Sequence, residues 1–264
     1  MSQFSAQNVK VNFGGTEIFA TSVSVEQTKS TEAVRTLGNF LSQGQVPTGP
    51  VETTISIDYL LKDGADPFKT VSDSIASGPL AYAPQGTQGL AIAGTTMNKI
   101  YMTSHSVTAE AEGLVNGSVS FVNFAKDGIN LPNQAQGVAS KAQSYSFAHG
   151  FSSTVAGGSQ AVGFTYECSF EWEPVLLMGK QGEPDQNGLL FNGGSQSLTV
   201  RGVGASKSVK FCPQTESASA SAVALSCSSA GSTQYQVQGD ITAGGFSAQT
   251  DGFQEGSFTV TKLL

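Results

Sequence analysis

The sequence predicts a mainly β protein built from two tandem β domains, each a sandwich or barrel with a short flanking helix. Three observations predict this class. Apolar and polar residues alternate with a period of two over long stretches, as in strands with one buried face. Glycine accounts for 31 of 264 residues and charged residues for only 12%, which is typical of chains with many turns and few long surface helices. Finally, segments of the first half recur in the second.

The recurrence consists of three segments that keep the same order and align without gaps. The aligned pairs are 20–38 with 161–179, 54–58 with 197–201, and 107–124 with 246–263. Their offsets of 141, 143 and 139 positions differ only as small loop insertions require. One such match could arise by chance, but three collinear matches indicate a duplication.

The domain boundary is predicted in the polar stretch KDGINLPNQAQGVASKAQS. This stretch contains Gly and Pro and shows no sustained periodicity, which is typical of a linker. The predicted organisation is therefore domain 1 over 1–125, a linker over 126–144 and domain 2 over 145–264.

A long half-buried strand is predicted near the start of each domain. In domain 2, five apolar residues alternate with polar ones: Phe164, Tyr166, Cys168, Phe170 and Trp172. Domain 1 keeps Val23 and Val25 at the matching positions and then becomes polar. The two domains should share a fold and present different surfaces. Long loops are predicted to follow, at 38–50 and 179–195.

One helix is well signalled, in DPFKTVSDSIASGP at 66–79. Asp66 can accept hydrogen bonds from the free amides of the first turn. One face is apolar and consists of Phe68, Val71 and Ile75. The corresponding candidate in domain 2 is SASASAVALS, at 217–226, whose helix signal is much weaker.

Each domain is predicted to close with a hairpin, written AEAEGLVNGSVSF in the first copy and AQTDGFQEGSFTV in the second. In the first copy, Val119 and Phe121 have the period of core residues. Gly113 and Gly117 are interpreted as turn or bulge positions.

Charge and cysteine content exclude several functions. A net charge of −7 disfavours nucleic-acid binding, although an acidic surface lets DNA slide past. The three cysteines show no CxxC spacing, so neither a disulfide framework nor a zinc site is indicated, and a reduced cytoplasmic origin is expected. No signal peptide and no membrane-spanning run is visible.

The sequence predicts no catalytic, cofactor-binding or metal-ligating residue, and the protein is not expected to be an enzyme. His105 and His149 are the only histidines, neither has a partner at metal-ligand spacing, and both are interpreted as surface or turn residues. No nucleophile motif or Ser-His-Asp order is evident. The carboxylates of Glu167, Glu171 and Glu173 share a strand face and are interpreted as a solvated face rather than an acid-base pair.

The order of elements resembles that of one family. NVKVNFGGTEIFATSVSVE is followed by EAVRTLG or EPVLLMG, then by a loop, the apolar strand ETTISIDYLL, a helix and an xxGxxxGSxSF hairpin. This pattern is similar to the major tail tube proteins of long-tailed bacteriophages, whose fold is shared with the type VI secretion tube and with baseplate hub and tail-end proteins. The resemblance covers most of residues 4–124 and, less evenly, 145–264.

The resemblance implies a structural virion protein whose subunits join their sheets into rings of six domains. The rings stack into a tube with an acidic lumen, through which genomic DNA passes without specific binding. Two domains per chain would make the ring a homotrimer with pseudo-sixfold symmetry. Implied partners are other copies of the chain and tail proteins such as the tape measure, terminator and baseplate. Assembly would take place in the host bacterial cytoplasm, with no membrane involved.

Within this hypothesis, Glu26, Glu167 and Glu171 are candidates for an exposed or luminal acidic strand face. Phe170 and Trp172 are candidates for an assembly contact specific to domain 2, and an ordinary core role is equally compatible with them. Two alternatives remain open: a baseplate or tail-terminus ring of the same fold, and a two-domain adhesin or carbohydrate-binding β protein. A carboxylate-based hydrolase ranks last.

Overall fold

The computed structural model describes twelve stretches of the chain: residues 9–35, 37, 44–61, 66–78, 89–110, 113–129, 151–153, 160–176, 184–203, 219–226, 232–247 and 255–264. Within them the chain is mainly β, as predicted, with thirteen strands and one helix. The strands are β1 (Val11–Phe13), β2 (Thr16–Val34), β3 (Gly44–Leu60), β4 (Leu90–Ile92), β5 (Thr95–Met97), β6 (Tyr101–Glu110), β7 (Asn116–Ala125), β8 (Phe151–Ser153), β9 (Gln160–Leu176), β10 (Pro184–Val203), β11 (Ser219–Ser226), β12 (Ser232–Ser247) and β13 (Glu255–Leu263), and the helix is α1 (Lys69–Ser77). Most of the predicted linker lies outside the described residues.

The strands of the first half form a run of antiparallel neighbours whose end strands, β5 and β6, are consecutive in the chain. β2 pairs with β3, β3 with β7, and β7 with β6. On its other side β2 pairs with β1, which pairs with β4, and β4 forms a hairpin with β5. Because β5 leads into β6 after three residues, the two ends of this run are held near each other, as in a small barrel.

The second half has the same order of neighbours and closes into a cycle. β9 pairs with β10, β10 with β13, and β13 with β12. β12 also pairs with β11, and β11 pairs with β8. β8 in turn pairs with β9 through Ser152 and Gln160, which completes the cycle. The two halves thus match strand by strand: β1, β2, β3 and β7 correspond to β8, β9, β10 and β13, and corresponding strands have corresponding neighbours.

The registers of the two halves also match the alignment of the sequence. In each half a residue of the central strand is paired on both sides, and the three paired residues of one half align with those of the other. They are Val25, Ile55 and Phe121 in the first half and Tyr166, Leu198 and Val260 in the second. Residues that the sequence aligns, with offsets of 141, 143 and 139 positions, therefore occupy matching places in the two halves.

Two β-bulges recur as well. The ladder between β2 and β3 skips Thr21, and that between β9 and β10 skips Val162, which is the aligned residue. The ladder between β6 and β7 skips Thr103, and that between β12 and β13 skips the aligned Thr242. The two halves therefore share the positions of these bulges as well as their strand order.

The halves join through one further ladder, between β6 and β9. It runs antiparallel from Ser104 paired with Ser169 to Glu110 paired with Gly163. This contact, called the inner seam below, belongs to a sheet of thirteen strands, within which eight follow one another in the order β2-β3-β7-β6-β9-β10-β13-β12. This run is called the eight-stranded sheet below.

The core is continuous between the halves. Buried apolar side chains of both form a single cluster, which includes the predicted core residues Val119 and Phe121. The helix predicted at 66–79 is confirmed over the shorter span of α1, and its apolar face is buried. Asp66 Oδ1 accepts a hydrogen bond from the Phe68 amide at 3.0 Å, but Phe68 is itself the N-cap residue, so the prediction that Asp66 binds amides of the first turn is wrong.

The second flanking helix is not found where it was predicted. The region of SASASAVALS forms β11, which pairs with β12 on one side and with β8 on the other. Serine is a weak helix former, and alternating Ser and Ala also suits a strand whose two edges are both hydrogen-bonded.

The predicted long loops are also wrong in part. β3 begins at Gly44 and β10 at Pro184, so much of 38–50 and 179–195 is strand. Gly113 lies in a turn, where its amide donates to the Glu110 carbonyl at 3.0 Å. Gly117 does not, since it is paired with Tyr59 inside the sheet. A Cβ on Gly117 would lie 2.3 Å from Cζ of the Tyr59 ring, which explains the glycine by packing.

Candidate functional site

Three features of the described structure are candidate sites: a buried polar network, a polar cleft and the outer surface of the eight-stranded sheet. The network is centred on the carboxylate of Asp66, which is buried at the start of α1. Tyr59 donates to Oδ1 at 3.0 Å, and Tyr235 donates to Oδ2 at 2.9 Å. His105 Nε2 lies 3.1 Å from Oδ2. Because Tyr235 belongs to the second half, the network ties the two halves together.

The charge of Asp66 is stabilised where it lies. Burial by itself raises the pKa of this carboxyl group. The charge and hydrogen bond of His105, together with the hydrogen bonds from the Phe68 amide and the Tyr235 hydroxyl, outweigh burial and lower the pKa below its ordinary value. Burial and the neighbouring Asp66 raise the pKa of the Tyr59 and Tyr235 hydroxyls well above the usual range, so both stay protonated and donate.

His105 corrects the sequence interpretation, because it is fully buried rather than a surface or turn residue. Its Nδ1 lies 3.3 Å from the Ser72 hydroxyl, so serine, histidine and aspartate are arranged in the order of a catalytic triad. The serine hydroxyl donates to the Lys69 carbonyl at 2.9 Å, and all three side chains are enclosed. A network with no open face stabilises the fold and has no room for a substrate.

The cleft lies between α1 and strands of the second half. It is lined by polar side chains that include Gln196, Gln236 and Gln238. Both of its ammonium groups are engaged: Lys69 pairs with Asp73, and Lys262 donates to the Ala76 carbonyl at 3.2 Å. The cleft thus joins the helix to the second half rather than offering free cations to a ligand.

Much of the outer surface of the eight-stranded sheet is polar, although Val122 and Phe124 of β7, which pair with Thr54 and Glu52, lie on the same side. One row of paired residues crosses all eight strands and contains only polar side chains: Ser22, Asp58, Ser118, Ser106, Glu167, Ser197, Thr261 and Asp240. Residues paired across a sheet point to the same side, so this row lies on one surface. The opposite surface faces the core.

The three predicted glutamates lie on this polar surface. Glu26, Glu167 and Glu171 are exposed, and each alternates along its strand with residues that face inward. Glu26 and Glu167 occupy matching places in β2 and β9. Arg201, on the same surface, forms an ion pair with Glu110 of β6. The surface therefore carries hydroxyl groups and an excess of carboxylates.

The two predicted aromatic contacts have different environments. Phe170 is buried in the core. Trp172 is partly buried beside the inner seam, where its Nε1 donates to the Met102 carbonyl at 2.7 Å. Its ring lies between Tyr101 of the first half, with ring centroids 5.2 Å apart, and Phe191 of the second, at 5.1 Å. Trp172 thus contacts the other half of its own chain.

Among the described residues, β2 and β12 each have one edge that lacks a partner strand over part of its length. β1 pairs with β2 only as far as Ile18, and β11 pairs with β12 only as far as Gly239. Beyond those residues, no described strand pairs with the outer edge of β2 or of β12. Open edges with unpaired backbone groups favour addition of a further strand.

Two ribbons extend from one end of the sheet. β2 and β3 continue as a two-stranded ribbon beyond the last pair of β3 and β7, and β9 and β10 do so beyond Ser195. Exposed apolar side chains lie near the ribbon tips at matching places, with Val34 39% and Val175 41% exposed. At the opposite end, beside the β6–β7 turn, Leu114 is also 39% exposed. Isolated two-stranded ribbons are marginally stable, so these favour contact with another molecule.

No protein-family model matches the chain, and no curated protein matches it. The described part of the chain contains no helix with the length and apolarity that crossing a membrane requires. Nor does that part bring together three or more His, Cys, Asp or Glu side chains that could hold a metal ion. What the chain does must therefore be inferred from its open edges, its acidic surface and its ribbons.

Proposed function

We propose that this chain is a structural subunit of the tail tube of a long-tailed bacteriophage, in which three chains form a pseudo-hexameric ring and rings stack into a conduit for DNA ejection. The observation that carries this proposal is the inner seam. It joins β6 of the first half to β9 of the second, and the strands at the matching places, β12 and β2, have open edges.

The seam defines a repeating operation. The rotation that superposes the first half on the second places β6 on β12 and β2 on β9. If the same rotation is applied again, β2 of another chain lies beside β12, in the register that β9 has beside β6. Such a head-to-tail contact generates a ring when the rotation closes. The matching registers and bulges support a tandem duplication of a tail-tube-like domain, and the ring of six domains follows from the resemblance to that family.

The polar surface suits the inside of such a ring. Serine, threonine and carboxylate side chains offer a DNA backbone no cations to bind, and their negative charge repels phosphate at short range. Glu26 and Glu167 would then repeat around the lumen, once for each domain. DNA would pass without specific binding.

The ribbons suit contacts between stacked rings. Each would reach beyond its own sheet by five or more residues, or roughly 17 Å. Their apolar tips, near Val34 and Val175, lie at one end of the sheet, and Leu114 lies at the other. Stacking would bring the two ends together and cover apolar area on both.

The biological setting follows from the same proposal. The chain would fold and assemble in the host cytoplasm and end in the virion, in contact with other copies of itself and with tape measure, terminator and baseplate proteins. A baseplate or tail-terminus ring would use the same seam and lumen without extended stacking.

Cysteine crosslinking tests the seam directly. Ser104 and Ser169 face each other in the inner seam, and the matching residues at the open edges are Ala243 and Thr28. Facing strand residues have the Cα separation that a disulfide needs. With Cys212 and Cys227 replaced by serine, Ala243→Cys together with Thr28→Cys should give covalent trimers on oxidation.

Moving one cysteine to Gly245, two residues out of register, provides the matched control and should crosslink poorly. Negative-stain microscopy of the uncrosslinked protein separates the related functions: stacked tubes support the tube subunit, and single closed rings support a baseplate or terminus protein. A protein that stays monomeric at high concentration and gives no crosslinked oligomer would refute both.

A further inference from the structure

We infer that the two kinds of seam in the ring are unequal: the inner seam is locked, while the contact between chains, called the outer seam, is a weak acidic edge pairing at which rings open and close. The partner at the outer seam is a second copy of this chain. This inference rests on the proposed ring and concerns how its assembly is controlled.

Aromatic packing forms the first lock of the inner seam. The ring of Trp172 of β9 packs at a tilt against that of Tyr101 of β6, and its Nε1 also donates a hydrogen bond to the Met102 carbonyl across the seam. The residues at the matching places of the outer seam are Thr31 of β2 and Asp240 of β12, both exposed. A threonine facing an aspartate provides neither the apolar area nor the ring contact of a tryptophan facing a tyrosine.

An ion pair forms the second lock. Arg201 of β10 reaches over β9 to Glu110 of β6. It passes Gly163, where an added Cβ would lie 2.8 Å from Glu110 Oε2 and 3.0 Å from Arg201 Nη2, so the glycine leaves room for the pair. At the outer seam, Gly163 corresponds to Ser22 and Arg201 to Asp58. Ser22 instead donates a hydrogen bond to Asp58 at 2.6 Å, so an anion lies where the inner seam has its cation.

The helix supplies a third connection that spans the inner seam. α1 follows β3 in the first half, and Asp66 at its start accepts a hydrogen bond from Tyr235 of β12 at 2.9 Å. Lys69 lies over the ring of Tyr166 of β9, 5.1 Å from its centroid. The residue of β2 that matches Tyr166 is Val25, which has no ring for a cation to approach.

The chemistry of the outer seam predicts its behaviour. Its main attraction is backbone pairing between open edges, while carboxylates such as Asp240, Asp58 and Glu26 lie on the surface beside the joint. Like charges near a joint oppose association, and salt screens them. Rings should therefore dissociate into single chains on dilution at low ionic strength and reform when salt is added, and each chain should keep its two halves together.

The decisive experiment transplants the aromatic lock. The variant Thr31→Trp with Asp240→Tyr places the inner-seam pair at the outer seam, and each single substitution serves as its matched control. The mean mass of the assemblies in solution is measured by light scattering over a dilution series at about 20 mM and about 500 mM NaCl. The double variant should lower the concentration of half-dissociation at least about fivefold relative to the wild type and to both single variants, since an aromatic pair contributes about 1 kcal/mol beyond its buried area, which corresponds to about fivefold in an equilibrium constant.

A second variant tests the charges without adding bulk. Asp240→Asn with Asp58→Asn should assemble at low salt as the wild type does at high salt. The inference is overturned if wild-type rings form and neither double variant changes their dissociation or its salt dependence, a result that leaves the proposed ring intact. If the wild type never assembles but the aromatic variant does, the seam is located as proposed. Failure of all variants to assemble, with native unfolding curves, overturns the ring itself.

Discussion

The Asp66→Ala variant should unfold at a much lower urea concentration than the wild type. The carboxylate accepts hydrogen bonds from the Tyr59 hydroxyl, the Tyr235 hydroxyl and the Phe68 amide, at 2.9–3.0 Å, and it pairs with His105. Each buried donor left unpaired costs about 1–3 kcal/mol, and the substitution removes the acceptor of three such donors. Since water can enter the vacated space, we expect a loss of about 3–5 kcal/mol in the free energy of unfolding.

The same carboxylate predicts a pH dependence with a definite sign. Its pKa is lowered in the folded state, so folding favours the ionised form. The stabilisation is complete above the pKa of the unfolded chain, near 3.9, and is lost as the pH falls through the lower folded value. Asp66→Asn removes this group from the titration, so the variant should be less stable than the wild type at pH 7 and the difference should shrink below about pH 4.

Urea unfolding followed by tryptophan fluorescence measures both effects, since Trp172 lies beside the inner seam. The control is Asp127→Ala, whose side chain is exposed. Surface substitutions usually change stability by about 0.5 kcal/mol or less, so the control should unfold near the wild-type midpoint. An Asp66→Ala protein within 1 kcal/mol of the wild type at pH 7, or a difference that grows in acid, would refute the role assigned to the network.

Three further predictions concern separate parts of the molecule. Gly117→Ala should lower the free energy of unfolding by about 2 kcal/mol because its Cβ would overlap a tyrosine ring, whereas Gly49→Ala, with nothing within 4 Å of the added atom, should be nearly neutral in the same urea titration. Val34→Asp with Val175→Asp should leave rings intact and abolish their stacking, as judged by negative-stain microscopy, and long tubes in this variant would contradict the stacking surface. Burial raises the pKa of the Cys168 thiol to about 11, so in a protein with the other two cysteines replaced by serine, Ellman's reagent should react at pH 8 only after unfolding.

The elements that the sequence predicts well are those whose signal is local. Alternation over β9 places Phe164, Tyr166 and Phe170 inside, and all three are buried. The stretch at 66–79 has its own apolar face, and α1 forms there. The core positions Val119 and Phe121 are also visible, because period-two alternation reports burial on one face of a strand whatever its neighbours are.

The features that the sequence does not reveal depend on distant partners. The hydrogen bond between Asp66 and Tyr235 joins residues 169 positions apart, so nothing near His105 in the sequence marks it as a buried member of that network. The strand at 219–226 resembles a weak helix until both of its edges are paired, because tertiary pairing overrides propensity. Trp172 shows the same limit, since its contact with Tyr101 exists only once the two halves have joined.

In the proposed ring, fusing two domains into one chain changes more than the number of subunits. It makes three of the six seams intramolecular. At these seams the linked domains have a high effective concentration, and no separate chains lose translational entropy on association. The fusion also frees the two seams to diverge. Residues such as Gly163 and Arg201 can then specialise for a permanent contact, while the matching Ser22 and Asp58 serve a contact that must first stay open, so that chains do not polymerise before a tail initiates. A ring of six identical domains lacks this freedom, because any residue that strengthens one of its seams strengthens all of them.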